Sequence, residues 1–172
     1  SYSEVKEPEE IVEKLNQYFE IATQTIQDHG GYVDKFIGDA VLGVFGVPVY
    51  HKNHVLRAVS AASNMQKAFH EKRKNGNDLL YSVGIGINSG VVVSGNIGSQ
   101  NRMEYTVIGD SVNLAAHIYR LANPGEIVIT KSVYVPLKEN LEVKPLPPQY
   151  IKGKSEPVEI FKLLSMRENH HA

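Results

Sequence analysis

A single carboxylate, Asp39, stands in the segment 35–45 at a Gly-Asp dipeptide that separates two apolar runs. This pattern predicts a β-hairpin with the aspartate at its tip. A carboxylate at the tip of a tight hairpin is exposed and rigidly held. Those conditions suit Mg²⁺, which keeps several waters and takes only one or two protein carboxylates. Taken alone, the spacing favours the alternative of an ordinary turn aspartate, which is common there for backbone reasons.

A second polar cluster lies in the segment 105–116, where a predicted strand ends at a Gly-Asp dipeptide and a helix begins. Asn113 and His117 are four residues apart and therefore share one face of that helix. An asparagine on the first turn can donate to a phosphate or sugar oxygen. The alternative is that Asp110 or Ser111 caps the helix and that Asn113 is merely solvated. By itself, the cluster favours this alternative.

A third cluster places Lys152 and Lys154 on either side of a glycine, in a predicted loop before a strand. Lysines beside flexible backbone suit a polyphosphate, although a solvated basic loop explains the cluster better when it is considered alone. A dinucleotide-binding site and a zinc site are not indicated. The Gly84-Ile85-Gly86 run lacks the third glycine of a dinucleotide fingerprint at the required spacing. The seven histidines are scattered, which argues against a zinc site.

Apolar periodicity and turn residues predict the elements that must position these clusters. A first helix begins at Pro8 and stops at Gly30-Gly31. A loop containing Gly95, Gly98 and Asn101 is predicted before the strand that precedes the second cluster. The other predicted elements are helices over 53–74, 110–122 and 131–137, and strands over 32–37, 40–45, 80–87, 91–93, 103–108, 126–130, 142–146 and 158–164. Mixed hairpins and crossovers predict a single α+β domain over residues 1–172.

Composition narrows the class of protein. The 172 residues carry a net charge of -1, so no overall field draws the chain to nucleic acid or to an anionic membrane. The absence of cysteine excludes disulfides and agrees with a cytoplasmic location. The longest apolar stretch, 40–49, is far shorter than the roughly 20 residues of a membrane helix. The opening residues 1–4 are typical of a loop within a domain. The histidines at 170–171 receive no functional weight.

Taken together and in this order, the three clusters resemble the catalytic domains of class III adenylyl and guanylyl cyclases. The segments 30–45 and 105–116 are similar to the two family signatures almost letter for letter, and 123–127 and the lysine loop also fit. The resemblance extends from residue 9 to residue 164. It implies a ferredoxin-like βαββαβ core and a head-to-tail homodimer with composite sites. The implied reaction converts a nucleoside triphosphate to a 3′,5′-cyclic monophosphate and pyrophosphate on two Mg²⁺ or Mn²⁺ ions.

The resemblance also implies which base is recognised. Lys35 matches the residue that contacts the purine, and Thr106 matches its partner across the base. A Lys-Thr pair is the pattern of the bacterial and soluble bicarbonate-responsive subgroup, which implies ATP as substrate and bicarbonate as a potential regulator. In guanylyl enzymes this pair resembles Glu and Cys. A lysine donates to adenine N1, which is an acceptor, whereas guanine N1 is a donor and prefers a carboxylate.

Further roles follow from the same resemblance. Asp39 matches the second of two metal-binding aspartates, and Asn113 matches the asparagine that orients the ribose. Lys152 matches the lysine that holds the terminal phosphates. Arg102 is a candidate for binding the pyrophosphate.

Two departures from the family pattern carry consequences. The first metal-binding aspartate and the phosphate loop of the family belong to an opening strand that would precede Ser1, so the domain is expected to be N-terminally incomplete and to lack that strand. His117 stands where the family has a transition-state arginine, whose loss can cost orders of magnitude in rate. Arg120 lies three residues further on and is a candidate to compensate.

Two functions are therefore expected. The first is an active adenylyl cyclase that serves signal transduction. The second is a catalytically degenerate module that binds nucleotide or bicarbonate and regulates a partner without turnover, for which His117 is the main support.

Overall fold

The computed structural model describes residues 7–76 and 81–167. The predictions that fall on residues 1–4, 80 and 170–171 lie outside these residues. The described elements, in chain order, are α1 (Pro8–Asp28), β1 (Tyr32–Ile37), β2 (Ala40–Val44), α2 (His54–Gly76), β3 (Ile85–Ile87), β4 (Val93–Ser99), β5 (Arg102–Ile108), α3 (Asp110–Tyr119), β6 (Ile127–Thr130), α4 (Lys131–Leu137), β7 (Leu141–Pro145) and β8 (Ile160–Met166). The predicted α+β class is confirmed.

The chain divides into two compact units. The first unit comprises Ser1–Val83 and Ser94–Thr106, and the second comprises Gly84–Val93 and Val107–Ala172. Among the described residues, no helix is both long enough and apolar enough to cross a membrane.

In the first unit, α1 packs against α2 and against the β1–β2 hairpin. Pro8 starts α1 because the first helical turn needs no backbone N–H from it, and acidic residues follow at the positive end of the helix dipole. Tyr18, Ala22 and Ile26 recur every four residues and are buried on one face. Tyr18 stacks on Phe69 of α2 with ring centroids 5.3 Å apart. This aromatic core holds the helices behind the hairpin.

In the second unit, a four-stranded sheet has the order β3-β6-β8-β7. Strand β3 runs parallel to β6, and β8 runs antiparallel to both of its neighbours. All four residues of β6 are buried, as expected for a central strand of β-branched residues. Helix α3 packs on β3 and β6. A Cβ at Gly86 would lie only 2.6 Å from Tyr119 Cα, so the glycine permits this close packing.

The segment before β5 is not the predicted loop. Residues Val93–Ser99 form β4, which pairs with β5 across a connection of only two residues. Such a short connection permits only antiparallel pairing. A side chain at Gly98 (φ 139°) would collide with the carbonyl oxygen of Arg102, so this glycine serves a strand that approaches its partner closely.

Other boundaries also differ from the prediction, and no strand spans the predicted 91–93, because only Val93 is extended and it begins β4. Strand β3 begins at Ile85, and the described residues 81–84 before it are not extended in a sheet. Helix α3 ends at Tyr119, three residues before the predicted end, so Ala122 is not helical. Val158 forms only an isolated bridge with Gln149, and β8 begins at Ile160. For β3, α3 and β8, the apolar residues continue along the chain beyond the residues that form the strand or helix, so the predicted segments extended too far at that end.

Candidate functional site

Within the first unit, the predicted base-reading residues Lys35 and Thr106 meet at a third residue, Asp34. The Thr106 hydroxyl donates to Asp34 Oδ2 at 2.8 Å. Lys35 Nζ lies 3.5 Å from the same oxygen. The Lys35 side chain is 44% exposed, whereas the Asp34 side chain is fully buried. The structure thus joins two residues that are 71 positions apart (106 − 35) through one buried carboxylate.

A bulge in β1 gives Asp34 this orientation. Val33 pairs with Gly43, but the next paired residue, Lys35, pairs with Leu42, so Asp34 is the extra residue on β1. On a regular strand, neighbouring side chains point to opposite faces. An extra residue interrupts that alternation and re-aims a side chain. The bulge therefore allows the carboxylate of Asp34 and the ammonium of Lys35 to approach each other.

Tyr32 completes the surroundings of the carboxylate. Its hydroxyl donates to Asp34 Oδ1 at 3.3 Å, and its ring meets the ring of Tyr105 edge-on with centroids 6.0 Å apart. Burial, followed by the charge of Asp34 and the hydrogen bond to it, raises the pKa of Tyr32 to about 12. The phenol is therefore a neutral donor throughout the physiological pH range. A buried carboxylate is stable only when such partners satisfy it.

Asp39 lies in the turn between β1 and β2, where its side chain is exposed, as predicted. Its carboxylate fits one hydrated Mg²⁺ or Mn²⁺, because such an ion keeps several waters and needs only one or two carboxylates. Asp34 is not exposed as Asp39 is, since its side chain is fully buried, and its oxygens accept from Thr106 and Tyr32. Over the described ranges, no group of three or more histidine, cysteine or acidic side chains is placed to hold a metal ion.

Arg102 is the first residue of β5 and is exposed, next to the tight β4–β5 connection. Its guanidinium can form two parallel hydrogen bonds with a phosphate. The structure does not bring Arg102 to Asp34, Lys35 or Thr106 through any described hydrogen bond or ion pair, so its role stays a prediction.

In the second unit, Asn113 and His117 lie one turn apart on the exposed surface of α3. The residue at the N-cap is Gly109, which has no side chain and therefore makes no side-chain cap. The backbone N–H of Asn113 donates to the Gly109 carbonyl at 3.2 Å. The capping alternative for Asp110 or Ser111 is therefore wrong, while exposed Asn113 stays compatible with either solvation or ligand binding.

The candidate replacement for the missing arginine is engaged elsewhere. Arg120 is the C-cap of α3. Its guanidinium carbon lies 5.9 Å from the ring centroid of Tyr119, within the range of a cation–π contact. The guanidinium thus lies over the Tyr119 ring at the end of the helix, and Arg120 would have to leave the ring to compensate for His117.

The two lysines of the third cluster are separated by the structure. Lys152 lies in an exposed turn, whereas Lys154 borders a cavity of about 330 Å³ in the second unit. This cavity opens where β3 and β6 end and where α3 and α4 begin, and an ion pair between Lys131 and Glu159 (2.8 Å) lies at its edge. None of the predicted site residues lines it. Lys152 is thus a solvent-facing cation and does not line this cavity.

Sequence reasoning missed Asp34. The available signal was a carboxylate directly before the purine-reading lysine, on a strand that otherwise carries apolar residues. A charged residue in such a strand requires a partner if it is buried. That partner is 72 positions away, so no local pattern identifies it.

Comparisons with known proteins agree on one family. Residues 1–165 match the adenylate and guanylate cyclase catalytic domain. An adenylate cyclase of Anabaena cylindrica is 36% identical over 176 residues, covering 95% of the chain and 34% of that protein. The chain spans 34% or less of the length of the first curated relatives that it matches.

Solved structures agree. The adenylyl cyclase CyaB from P. aeruginosa has a TM-score of 0.85 at 31% identity, covering 96% of this chain and 87% of that one. The guanylyl cyclase Cya2 has a TM-score of 0.84 at 36% identity, covering 98% and 87%. Since cyclases of both kinds match almost equally well, the fold alone does not decide which base is bound.

Proposed function

We propose that this chain, which belongs to the family of adenylate and guanylate cyclase catalytic domains, converts ATP to 3′,5′-cyclic AMP and pyrophosphate in signal transduction. The observation that carries the choice of ATP is the pairing of Lys35 with Thr106 through Asp34. Lys35 can donate to adenine N1, and the Thr106 oxygen can accept from the 6-amino group. A guanine would meet the wrong hydrogen-bonding partner at both positions.

The other site residues have separable tasks in this proposal. Asn113 donates to the ribose and holds the 3′ hydroxyl in line with the α-phosphorus, which contributes through positioning. Lys152 binds the terminal phosphates as a point charge, and Arg102 binds the leaving pyrophosphate. His117, when protonated, stabilises the charge that develops in the transition state.

Catalysis in this family generally depends on metal ions, and Asp39 is the residue of this chain that would hold one. Two Mg²⁺ or Mn²⁺ ions would lower the pKa of the 3′ hydroxyl and neutralise the pyrophosphate. We further propose a head-to-tail homodimer in which Asp39 of one protomer serves the nucleotide held by its partner. Exposed apolar side chains, including Phe36 (50%), Ile37 (59%) and Val91 (90%), are compatible with burial by another chain. Regulation by bicarbonate and a cytoplasmic location stay predictions.

The test is cyclic nucleotide production by the full-length protein with Mn²⁺, first from ATP and then from GTP. Cyclic AMP without cyclic GMP is expected. Cyclic GMP as the main product would contradict the base assignment. Binding of ATP with no cyclic product from either nucleotide would favour the second candidate function.

That second candidate is a regulatory module that binds nucleotide without turnover. It is supported by one observation: the exposed surface of α3 presents His117 where the family has an arginine, and Arg120 lies over the Tyr119 ring instead. Histidine is shorter than arginine and only partly protonated near neutral pH.

Replacing His117 with arginine is expected to raise kcat for ATP at least about tenfold, because a permanently charged fork then faces the transferred phosphorus. The measurement is steady-state cyclic AMP production at pH 7.5, together with KM. His70→Arg, a substitution at an exposed position of α2, is the matched control and should leave kcat unchanged. An unchanged kcat in His117→Arg would show that this position does not face the reacting phosphate.

A further inference from the structure

We propose that Asp34 determines base specificity by positioning: its buried carboxylate accepts the one hydrogen bond that the Thr106 hydroxyl can donate and orients Lys35, so the pair can bind a 6-amino purine but not a 6-oxo purine. The proposal deepens, and rests on, the assignment of Lys35 and Thr106 to the base. Asp34 itself need not touch the nucleotide, because it acts through these two side chains.

The first step concerns the polarity of Thr106. An ionised carboxylate is only an acceptor, and a hydroxyl has one proton and two lone pairs. At 2.8 Å from Asp34 Oδ2, the Thr106 hydroxyl must be the donor. Its remaining capacity is therefore that of an acceptor. Thr106 keeps 8% of its surface exposed, and a base that reaches it meets lone pairs.

The second step concerns Lys35. Its ammonium carries three protons and no lone pair. One proton can face Asp34 Oδ2 at 3.5 Å, and the 44% exposure of the side chain leaves the others accessible. The carboxylate thus restricts a long, flexible side chain to one region beside Thr106. This lowers the entropy that Lys35 would otherwise lose when a base binds.

Together, the acceptor at Thr106 and the donor at Lys35 discriminate between adenine and guanine. Adenine presents an acceptor at N1 and a donor at its 6-amino group, which complements a donor at Lys35 and an acceptor at Thr106. Guanine presents the reverse at both positions. A threonine hydroxyl that was free to rotate could donate to the 6-oxo group and would tolerate guanine. The buried carboxylate removes that option.

The environment of Asp34 keeps the carboxylate in this role. Tyr32 donates to Oδ1 at 3.3 Å, and Thr106 and Lys35 share Oδ2, so both oxygens are engaged while the side chain is fully buried. The bulge at Asp34 is needed for this arrangement, because a regular β1 would place Asp34 and Lys35 on opposite faces.

The test is Asp34→Asn in the full-length protein, with kcat/KM measured for ATP and for GTP. We expect the ATP-to-GTP ratio to fall at least about tenfold, since hydrogen bonds to a charged group are lost. The amide also offers one acceptor oxygen instead of two to the hydroxyls of Tyr32 and Thr106, and its NH2 group would donate to the hydroxyl that it faces. A merely structural role would lower both activities equally along with Tm and leave the ratio unchanged, and that result would overturn the proposal.

Thr106→Val provides the matched background. It removes the hydroxyl while keeping a similar volume, so Asp34→Asn should then change the ratio much less than it does in the natural chain. The double-mutant cycle isolates the coupling between the two residues. Equal effects of Asp34→Asn in both backgrounds would contradict action through Thr106.

Two further readouts separate this proposal from the proposed function. If the natural protein makes no cyclic product, the ratio of Kd for ATP and GTP replaces the ratio of kcat/KM and tests Asp34 independently of turnover. Titration of Tyr32, followed by NMR of ¹³C-labelled tyrosine, needs no nucleotide at all. Burial is the largest cause of the raised pKa of Tyr32, about 12, and the charge of Asp34 and the hydrogen bond to it raise that pKa further. Asp34→Asn should therefore lower the pKa of Tyr32, while burial still keeps it above its ordinary value. At pH 11, Tyr32 should therefore be mostly neutral in the natural chain and more ionised in the variant; equal ionisation in both would overturn the proposed contact.

Discussion

Replacing Lys35 with glutamate is expected to lower kcat/KM for ATP by about 1,000-fold or more, because a site built to hydrogen-bond one base leaves polar groups unpaired when its polarity is reversed. The new carboxylate would present acceptors to adenine N1, itself an acceptor. It would also lie close to Asp34, since Lys35 Nζ is now 3.5 Å from Asp34 Oδ2. The measurement is the rate of cyclic AMP and cyclic GMP formation over a range of ATP and GTP concentrations.

The control is Lys144→Glu, which reverses the same charge at an exposed position on β7 in the other unit. It should leave both rates within about twofold of the natural chain, because surface charges away from a site contribute little. Retention of ATP turnover in Lys35→Glu would place the base elsewhere and withdraw the argument for adenine.

A switch of activity from ATP to GTP should require a substitution at Asp34 in addition to Lys35→Glu. Lys35→Glu leaves two carboxylates next to each other, and like charges at such separations disfavour ionisation of both. We therefore expect Lys35→Glu combined with Thr106→Cys to gain GTP turnover mainly when Asp34→Asn is added. A full gain without the Asp34 change would show that the carboxylate does not constrain this pair.

The second large effect is expected at the hairpin tip. Asp39→Asn should reduce cyclic AMP formation by more than about 100-fold, since even the partners of metal ligands typically contribute 10–100-fold to metal affinity or activity. The amide keeps the shape of the side chain but removes the negative charge that a hard cation requires. The rate is measured as a function of Mn²⁺ concentration, and ATP binding is measured separately.

Glu139→Gln is the matched control, because Glu139 is also an exposed carboxylate in a turn. It should leave the Mn²⁺ dependence unchanged. If Asp39→Asn loses turnover and its rate rises again only at much higher Mn²⁺, Asp39 binds the metal. If the variant shows natural rates at every Mn²⁺ concentration, the ordinary turn aspartate that the spacing alone favoured is the better explanation.

Local chemistry explains what could be predicted. Strand 32–37, the turn at Gly38-Asp39 and helix 131–137 agree with the structure residue for residue. Each depends on interactions between near neighbours, such as a turn dipeptide between apolar runs or a change of periodicity. The same local reasoning failed at β4, where Gly95 and Gly98 indicate a loop to any local pattern. Pairing with β5, which no short window contains, makes this segment a strand.

The candidate site shows the same distinction between local and long-range interactions. The chemical groups could be identified from the sequence: a donor at Lys35, a hydroxyl at Thr106, a carboxylate at Asp39 and an amide at Asn113. Which of these groups lie close together depends on the tertiary structure. Asp34 and Thr106 are 72 positions apart, and only a bulge in β1 and the burial of one carboxylate bring the Thr106 hydroxyl and the Lys35 ammonium to the same oxygen. A buried charge requires hydrogen-bonding partners wherever the fold places them. Spacing along the sequence therefore could not predict that Thr106 donates to Asp34.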